Sequence, residues 1–110
     1  MGLNLPSKKL MAILSNNEAL GIEFESGSLK YKGTATRMFA YDNVFFLVHF
    51  HLKSKPSEIC SGDFYPKKKL VNTIIIIEWE CHTPGIESKL ISLVGAAIEE
   101  NMKHSNFSIF

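Results

Sequence analysis

An α+β domain is the fold class that this sequence predicts, and three observations lead to it. Segments 20–31, 44–53 and 70–81 carry apolar residues with the period of two that is typical of strands. After the Thr83-Pro84-Gly85 stretch, apolar residues recur every three or four positions, which is the spacing of an amphipathic helix. With 110 residues and 45% hydrophobic content, the chain fits one domain, 1–110, around one core. We therefore expect an antiparallel sheet of about four strands with a long C-terminal helix packed on it.

The first third of the chain predicts a short helix followed by a β hairpin. Ser7 is a suitable N-cap for a helix over residues 8–16, whose apolar side carries Leu10, Met11, Ile13 and Leu14. From Leu20 the apolar period changes to two, and Ser26-Gly27 supplies the turn of a hairpin over residues 20–31. Residues 33–42 are then expected to form a polar connection.

The strand over residues 44–53 has one continuous apolar face, formed by Val44, Phe46, Val48, Phe50 and Leu52. Its other face becomes polar along the strand, starting with Phe45 and Leu47 and ending with His49 and His51. The segment 54–69 that follows contains Pro56, Gly62 and Pro66 among many polar residues. This composition predicts the longest irregular stretch of the chain, and a mobile functional loop.

Residues 70–81 are predicted to be a central strand, because one face is apolar throughout and the other is apolar at Ile74 and Ile76. Thr83 as a cap and Pro84 in the first turn predict the start of the last helix. Gly95 would let this helix approach the sheet closely. We expect the core to combine strand and helix residues: Phe46, Val48, Phe50, Ile75, Ile77 and Trp79 with Ile86, Leu90, Val94 and Ile98.

Charge and composition exclude several function classes. The net charge is only +1, so no overall field draws the protein to nucleic acid or to an anionic membrane. The longest apolar run, 74–77, is far below the roughly 18 residues that indicate a membrane span. No apolar signal-peptide stretch follows a basic start. We therefore expect an intracellular protein with no membrane partner, in which the two cysteines are reduced thiols.

No residue pattern predicts catalysis, a metal or a cofactor. His49 and His51 share a strand face and could assemble a zinc site with Cys60, Cys81 or His82, but no pair has zinc-finger spacing. Cys81 and His82 are adjacent on a strand, so they point to opposite faces and cannot act directly as nucleophile and base. A glycine-rich phosphate loop is lacking. We expect a non-enzymatic protein without metal or cofactor.

Surplus apolar surface predicts a binding site for a protein partner. Apolar residues occur on both faces of the predicted sheet and in the C-terminal tail, and one helix stripe does not cover them all. The alternative is that the first helix covers the surplus. The candidate partner-binding residues are Phe45, Leu47, Ile74, Ile76, Phe107, Ile109 and Phe110. The partner would be a sister subunit of similar fold or a second copy of this chain.

Lysines bracket the 54–69 segment and form a second candidate site. If the two flanking strand ends are neighbours, these lysines converge into one basic patch beside Phe64 and Tyr65. Such a patch could bind RNA, phosphate groups or an acidic peptide. The alternative is a solvated lysine-rich loop. The candidate anion-binding residues are Lys53, Lys55, Lys67, Lys68 and Lys69.

Four stretches carry a resemblance to a known family: LGIEFESGSLKYKG, FFLVHFHL, IIIIEWECHTPGIESKLISLV and MKHSNFSIF. From about Glu18 to Phe110 the chain resembles the globular heads of the kinetochore subunit family named spindle pole component twenty-five. That family belongs to the nuclear-division-cycle complex, which links centromeres to microtubules. The resemblance implies an RWD-like fold and a role in chromosome segregation during cell division. It further implies a head that forms a heterodimer with a sister subunit in the nucleus and docks inner-kinetochore peptides.

Overall fold

The computed structural model describes residues 19–40, 42–103 and 109. The predicted helix over residues 8–16 lies outside these residues, as do Phe107 and Phe110. Within the described residues, five strands come first and one helix follows. They are β1 (Ala19–Ser26), β2 (Leu29–Ala40), β3 (Asn43–Leu52), β4 (Cys60–Val71), β5 (Ile74–Cys81) and α1 (Ser88–Lys103). The α+β class, the antiparallel sheet and the C-terminal helix are confirmed, with five strands instead of about four.

The sheet is a simple meander, because each strand pairs antiparallel with the next one in the chain. Three of the connections are two-residue turns, and each contains backbone in the left-handed region. Gly27 has φ 64° between β1 and β2, and Asp42 has φ 64° between β2 and β3. Asn72 and Thr73 have φ 48° and 68° between β4 and β5. Turns of this hand match the twist of antiparallel strands and hold their register.

Helix α1 lies on one face of the sheet, which we call the helix face. It packs against β4 and against both edge strands, β1 and β5, so the sheet curls around it. The buried apolar residues form one cluster between helix and sheet: Ile22, Phe24, Ala35, Phe46, Val48, Phe50, Phe64, Val94, Ala97, Ile98 and Met102. The predicted helix stripe is confirmed at Val94, Ala97, Ile98 and Met102, and Leu90 and Ile91 pack beside them.

Gly95 brings α1 into direct contact with Trp79 of β5. A Cβ atom at position 95 would overlap the Trp79 indole ring. The ring is held in place, since Trp79 Nε1 donates a hydrogen bond of 3.0 Å to Glu99 Oε2 on the same helix. The predicted close approach of the helix at Gly95 is confirmed, and the indole is the group that requires it.

The prediction of an irregular segment over 54–69 is wrong for most of its length. Only residues 53–59 connect β3 to β4, and β4 begins at Cys60. Gly62 is buried in a place where an added Cβ would lie 3.0 Å from Ile86 Cδ1. Pro66 is tolerated within the strand because β4 no longer pairs with β3 beyond Phe64, so the missing N–H breaks no hydrogen bond to β3.

Residues 70–81 do not form a central strand, because the Asn72-Thr73 turn divides them and β5 is the edge strand of the sheet. Ile75, predicted to be in the core, is 67% exposed because it lies in the part of the β4–β5 pair that extends beyond β3, and Ile77 lies outside the buried cluster. The other predicted core residues do pack there. Residues 33–42 are also not a connection, since β2 continues to Ala40. The last helix begins at Ser88 because Gly85, with φ 90°, interrupts the helical backbone after Pro84.

Candidate functional site

The outer ends of β4 and β5 form a two-stranded ribbon. β3 pairs with β4 only between Cys60 and Phe64, whereas β4 pairs with β5 as far as the turn after Val71. Residues 67–77 therefore have strand neighbours only within the ribbon itself, among the residues that the structure describes. We call this segment, 67–77, the exposed hairpin.

Large apolar side chains of the exposed hairpin face solvent. The exposed fractions are 70% for Leu70, 67% for Ile75, 64% for Ile74, 43% for Ile76 and 39% for Val71. The register pairs Leu70 with Ile75 on the helix face and Val71 with Ile74 on the opposite, outer face. Both faces of the hairpin are thus apolar. Single exposed hydrophobic residues are ordinary on protein surfaces, but a contiguous group of this kind marks an interaction site.

Two predicted partner-binding residues, Ile74 and Ile76, belong to this surface. Sequence reasoning missed Leu70, Val71 and Ile75, because it placed 70–81 in one buried strand. The signal was nevertheless present. Two apolar runs separated by two residues, one of them Asn, indicate a hairpin. Asn72 and Thr73 have the positive φ values of a type I′ turn, which is a favoured turn for a hairpin with a two-residue connection.

β5 also has a free backbone edge. In the part of the chain that the structure describes, β4 is its only strand partner. The stretch 74–77 at this edge contains neither charge nor proline. Natural edge strands are ordinarily protected by charged residues or proline, so an unprotected apolar edge can pair with another strand.

Lysines lie at the base of the exposed hairpin. Lys69 Nζ is 3.0 Å from Glu78 Oε2, and both side chains are more than half exposed. Lys67 Nζ lies 5.8 Å from the centre of the Tyr65 ring. These contacts across solvated strands contribute little stability, and they leave the base of the hairpin polar next to its apolar tip.

The structure does not bring the predicted anion-binding lysines together. Lys53 lies at the opposite end of the sheet, where its backbone N–H donates to the Lys30 carbonyl at 2.9 Å. Its Nζ pairs with Glu23 Oε1 at 2.8 Å, and Lys55 lies in the connection after it. Following the register of β3 and β4, Lys53 and Lys67 are roughly 30 Å apart along the strands. Two separate lysine groups replace the predicted patch.

Phe45 and Leu47 lie on the outer face and are partly covered by neighbouring strands. Phe45 stacks on Tyr65 with ring centres 5.5 Å apart, and Tyr65 stacks on His82 at 4.8 Å. This aromatic row ends beside Lys67 at the base of the exposed hairpin. Leu47 lies between Thr36 and Asp63 in the sheet register. Both predicted residues are therefore less exposed than the hairpin tip.

Ile109 packs against the core of its own chain. Its carbonyl accepts a hydrogen bond of 3.3 Å from Arg37 Nε of β2. The tail at this residue is covered by the same chain, whereas the sequence placed Ile109 among the partner contacts.

The histidines and cysteines are dispersed. His49 Nδ1 lies 2.6 Å from Ser61 Oγ, and His51 Nδ1 lies 2.8 Å from the Leu52 carbonyl. Cys60 is exposed and Cys81 half-buried, both as free thiols. Within residues 19–40, 42–103 and 109, no three side chains of the types that bind metals lie close enough to share an ion. In the same residues, no helix has the length and apolar character needed to cross a membrane.

Comparisons of the chain with protein-family models, with curated proteins and with solved structures find no match. Among the features described above, the exposed hairpin bears most directly on function because of its exposed apolar side chains.

Proposed function

We propose that this protein is a non-enzymatic interaction module that works as a subunit, and that the exposed hairpin is its contact with a partner chain. The supporting observation is the group of five large apolar side chains, each 39–70% exposed, on one hairpin. Fully burying one such side chain is worth roughly 1.5–3 kcal/mol. Burying the exposed parts of several such side chains therefore gives a gain comparable with the lower part of the cost of association, which is about 4–15 kcal/mol.

The proposal has a finer form, taken from the resemblance described above. In that form the chain is an RWD-like head of a kinetochore subunit, in the nucleus of a dividing cell. It would pair with a sister subunit of similar fold and dock inner-kinetochore peptides. An antiparallel sheet followed by a helix packed on one of its faces is the element order expected of an RWD-like head, and this order supports the finer form.

The experiment is a comparison of hairpin variants by native mass measurement after purification from the source cells. A tagged chain carrying Leu70→Ser, Ile74→Ser and Ile76→Ser is compared with the unsubstituted tagged chain. We expect the unsubstituted chain to be recovered in a complex of higher mass and the variant to be recovered alone. Because the three side chains are exposed, the melting temperature should barely change.

A matched control uses three exposed outer-face residues away from the hairpin, with Lys30→Ser, Lys32→Ser and Thr34→Ser. This control should retain the complex. Recovery of the unsubstituted chain as a monomer, or retention of the complex by the hairpin variant, would count against an interaction module of this kind.

A further inference from the structure

We propose that the exposed hairpin pairs edge to edge with the same hairpin of a second copy of this chain, which joins two five-stranded sheets into one antiparallel sheet. This inference rests on the proposed function, because it identifies the partner that covers the hairpin. It follows from the edge of β5, the orientation of its backbone groups, and the charges along it.

The two edges of the sheet differ in their protection. The edge strand β1 carries Glu23 and Glu25, both exposed, on its outer face. Those charges oppose pairing with a further strand. At the tip of the other edge, in β5, the residues 74–77 are all isoleucine. The charges of β5, Glu78 and Glu80, begin only after this exposed apolar tip, so among the strands that the structure describes the tip of β5 is the edge better suited to strand addition.

The turn determines which backbone groups face the free edge. Val71 and Ile74 are the directly paired residues that close a two-residue turn, so their N–H and C=O groups bond to each other. Hydrogen-bonding directions alternate along a strand. The N–H and C=O groups of Ile75 and Ile77 therefore point away from β4, toward the position of an added strand.

Symmetry and charge select one register for self-pairing. Two identical antiparallel edges are related by a two-fold axis perpendicular to the sheet, which pairs residues of the same face. With the axis at Ile75, Ile75 pairs with Ile75 of the second copy, and Ile74 pairs with Ile76 of the second copy. Glu78 then lies beyond the paired strands, opposite the turn.

Registers shifted along β5 bring Glu78 into the paired strands. An axis at Ile76 places Glu78 opposite Ile74 of the second copy, and an axis at Ile77 places it opposite Ile76 of the second copy. An axis at Trp79 places Glu78 opposite Glu80 of the second copy, where like charges repel. Among these registers, only the axis at Ile75 pairs all three exposed isoleucines of β5 with isoleucines and keeps Glu78 out of the paired strands.

The exposed isoleucines of β5 are the apolar surface that such a dimer would use. A specific interface buries a total of roughly 1,000 Å² or more. Pairing at the β5 edge brings together Ile74, Ile75 and Ile76 of both copies, six large side chains that are 43–67% exposed.

The test combines sedimentation equilibrium of the full chain with cross-linking at the two-fold axis. We expect a dimer whose dissociation constant rises at least about tenfold with Ile75→Lys, which places two lysines opposite each other. Leu70→Lys is the matched control, since Leu70 is as exposed as Ile75 but lies one strand inside the edge. Leu70→Lys should raise the dissociation constant less than Ile75→Lys does. Circular dichroism of both variants tests whether they are folded.

Cross-linking tests the register. In a Cys60→Ser background, Ile75→Cys should form a disulfide between copies under mild oxidation. The Cα atoms of such a pair are about 5.5 Å apart, which is within the range of a disulfide. Leu70→Cys should not cross-link. Equal cross-linking at both positions, or none at Ile75→Cys, would overturn the proposed pairing.

Other outcomes separate this inference from the proposed function. If the chain is monomeric alone but needs the hairpin to bind a different subunit, pairing with a second copy is overturned and the proposed interaction module is supported. A monomer whose Ile75 and Ile77 amides are protected from hydrogen exchange would assign the edge to another segment of the same chain, and also overturns the inference. A monomer that needs the hairpin only to bind anionic lipid vesicles overturns both proposals.

Discussion

At position 95, the lack of a side chain allows helix α1 to lie directly on the Trp79 indole. The ring has little freedom to move away, because Trp79 Nε1 is hydrogen-bonded to Glu99 Oε2 at 3.0 Å. A glycine within a helix is less favourable than alanine by about 1 kcal/mol. Gly95 therefore lowers the helix propensity of α1 but allows the helix to pack closely on the Trp79 indole.

We predict that Gly95→Ala destabilises the protein. Overpacking against the ring costs about 1–3 kcal/mol, which outweighs the roughly 1 kcal/mol of helix propensity that alanine returns. Denaturant unfolding measures the change, and the emission of the one tryptophan reports displacement of its ring. Ala96→Gly, at the exposed neighbouring position, isolates the propensity contribution. An increase in stability with Gly95→Ala would contradict the contact.

A second residue-scale prediction concerns Glu23 at the other end of the sheet. Its hydrogen bond with Lys53, and then the lysine's charge, hold the pKa of Glu23 below its ordinary value. Because the pKa of Glu23 is lowered in the folded protein, the Glu23–Lys53 pair contributes to the free energy of unfolding at pH values above the ordinary pKa of an unfolded glutamate. This contribution is lost as the pH falls through the lowered value. Both side chains are exposed, so the effect on stability is small and decreases with salt.

We predict that Lys53→Met raises the pKa of Glu23 toward its ordinary value, measured by NMR titration of the side-chain carboxyl. Lys32→Met is the control, because Lys32 lowers the pKa of Glu23 less than Lys53 does. It should produce a smaller rise. The same pKa in the unsubstituted protein and in Lys53→Met would show that the ion pair does not form in solution.

At the scale of elements, the turn between β4 and β5 determines that the exposed hairpin exists at all. Both of its residues have positive φ, 48° at Asn72 and 68° at Thr73. Asparagine tolerates this region, but a β-branched residue does so rarely. Thr73 is therefore the strained residue of the turn.

We predict that Thr73→Gly stabilises the hairpin. Relieving a left-handed residue gains roughly 1–2 kcal/mol, of which the greater flexibility of unfolded glycine removes about 0.5–1 kcal/mol. Slower hydrogen exchange of the hairpin amides is the expected result. Asn72→Gly should change the exchange rates less. Faster exchange with Thr73→Gly would indicate a different turn geometry.

At the scale of the whole molecule, the distribution of charge opposes nucleic acid as the partner. The net charge is +1, and the two lysine groups lie at opposite ends of the sheet. Lys53 and Lys69 each pair with a glutamate. A groove that follows a phosphate backbone needs a continuous row of positive charge, which this arrangement does not supply.

We predict that a single-stranded RNA of about 10 nucleotides, comparable to the site size of common single-strand binders, shows no measurable affinity at physiological salt. At low salt, any binding should have a shallow dependence on salt concentration, because few phosphates are neutralised. Replacing Lys67, Lys68 and Lys69 by serine is compared with replacing Lys53 and Lys55. A steep salt dependence that only the first replacement abolishes would favour the anion-binding alternative, located at the hairpin base.

The sequence by itself determined the periodic elements. The alternation along β3 and the helical spacing from Leu90 to Met102 identify buried faces that the structure confirms. Ile74 and Ile76 could be named as candidate contact residues for the same reason. Apolar period follows from local backbone geometry, so it can be read without knowledge of the fold.

Only the tertiary structure decided how far neighbouring strands pair, and this controls the candidate site. An alternating apolar strand has the same pattern whether its faces are covered or exposed, and Ile75 is exposed because the β4–β5 ribbon extends beyond the residues that pair with β3, whereas Trp79 of the same strand packs against the core. The separation of Lys53 from Lys67 likewise depends on the antiparallel pairing of β3 with β4. Two-residue turns hold three of the four strand pairings locally, whereas the extent to which β3 pairs with β4 and the packing of α1 against β1, β4 and β5 join residues that are distant in the chain.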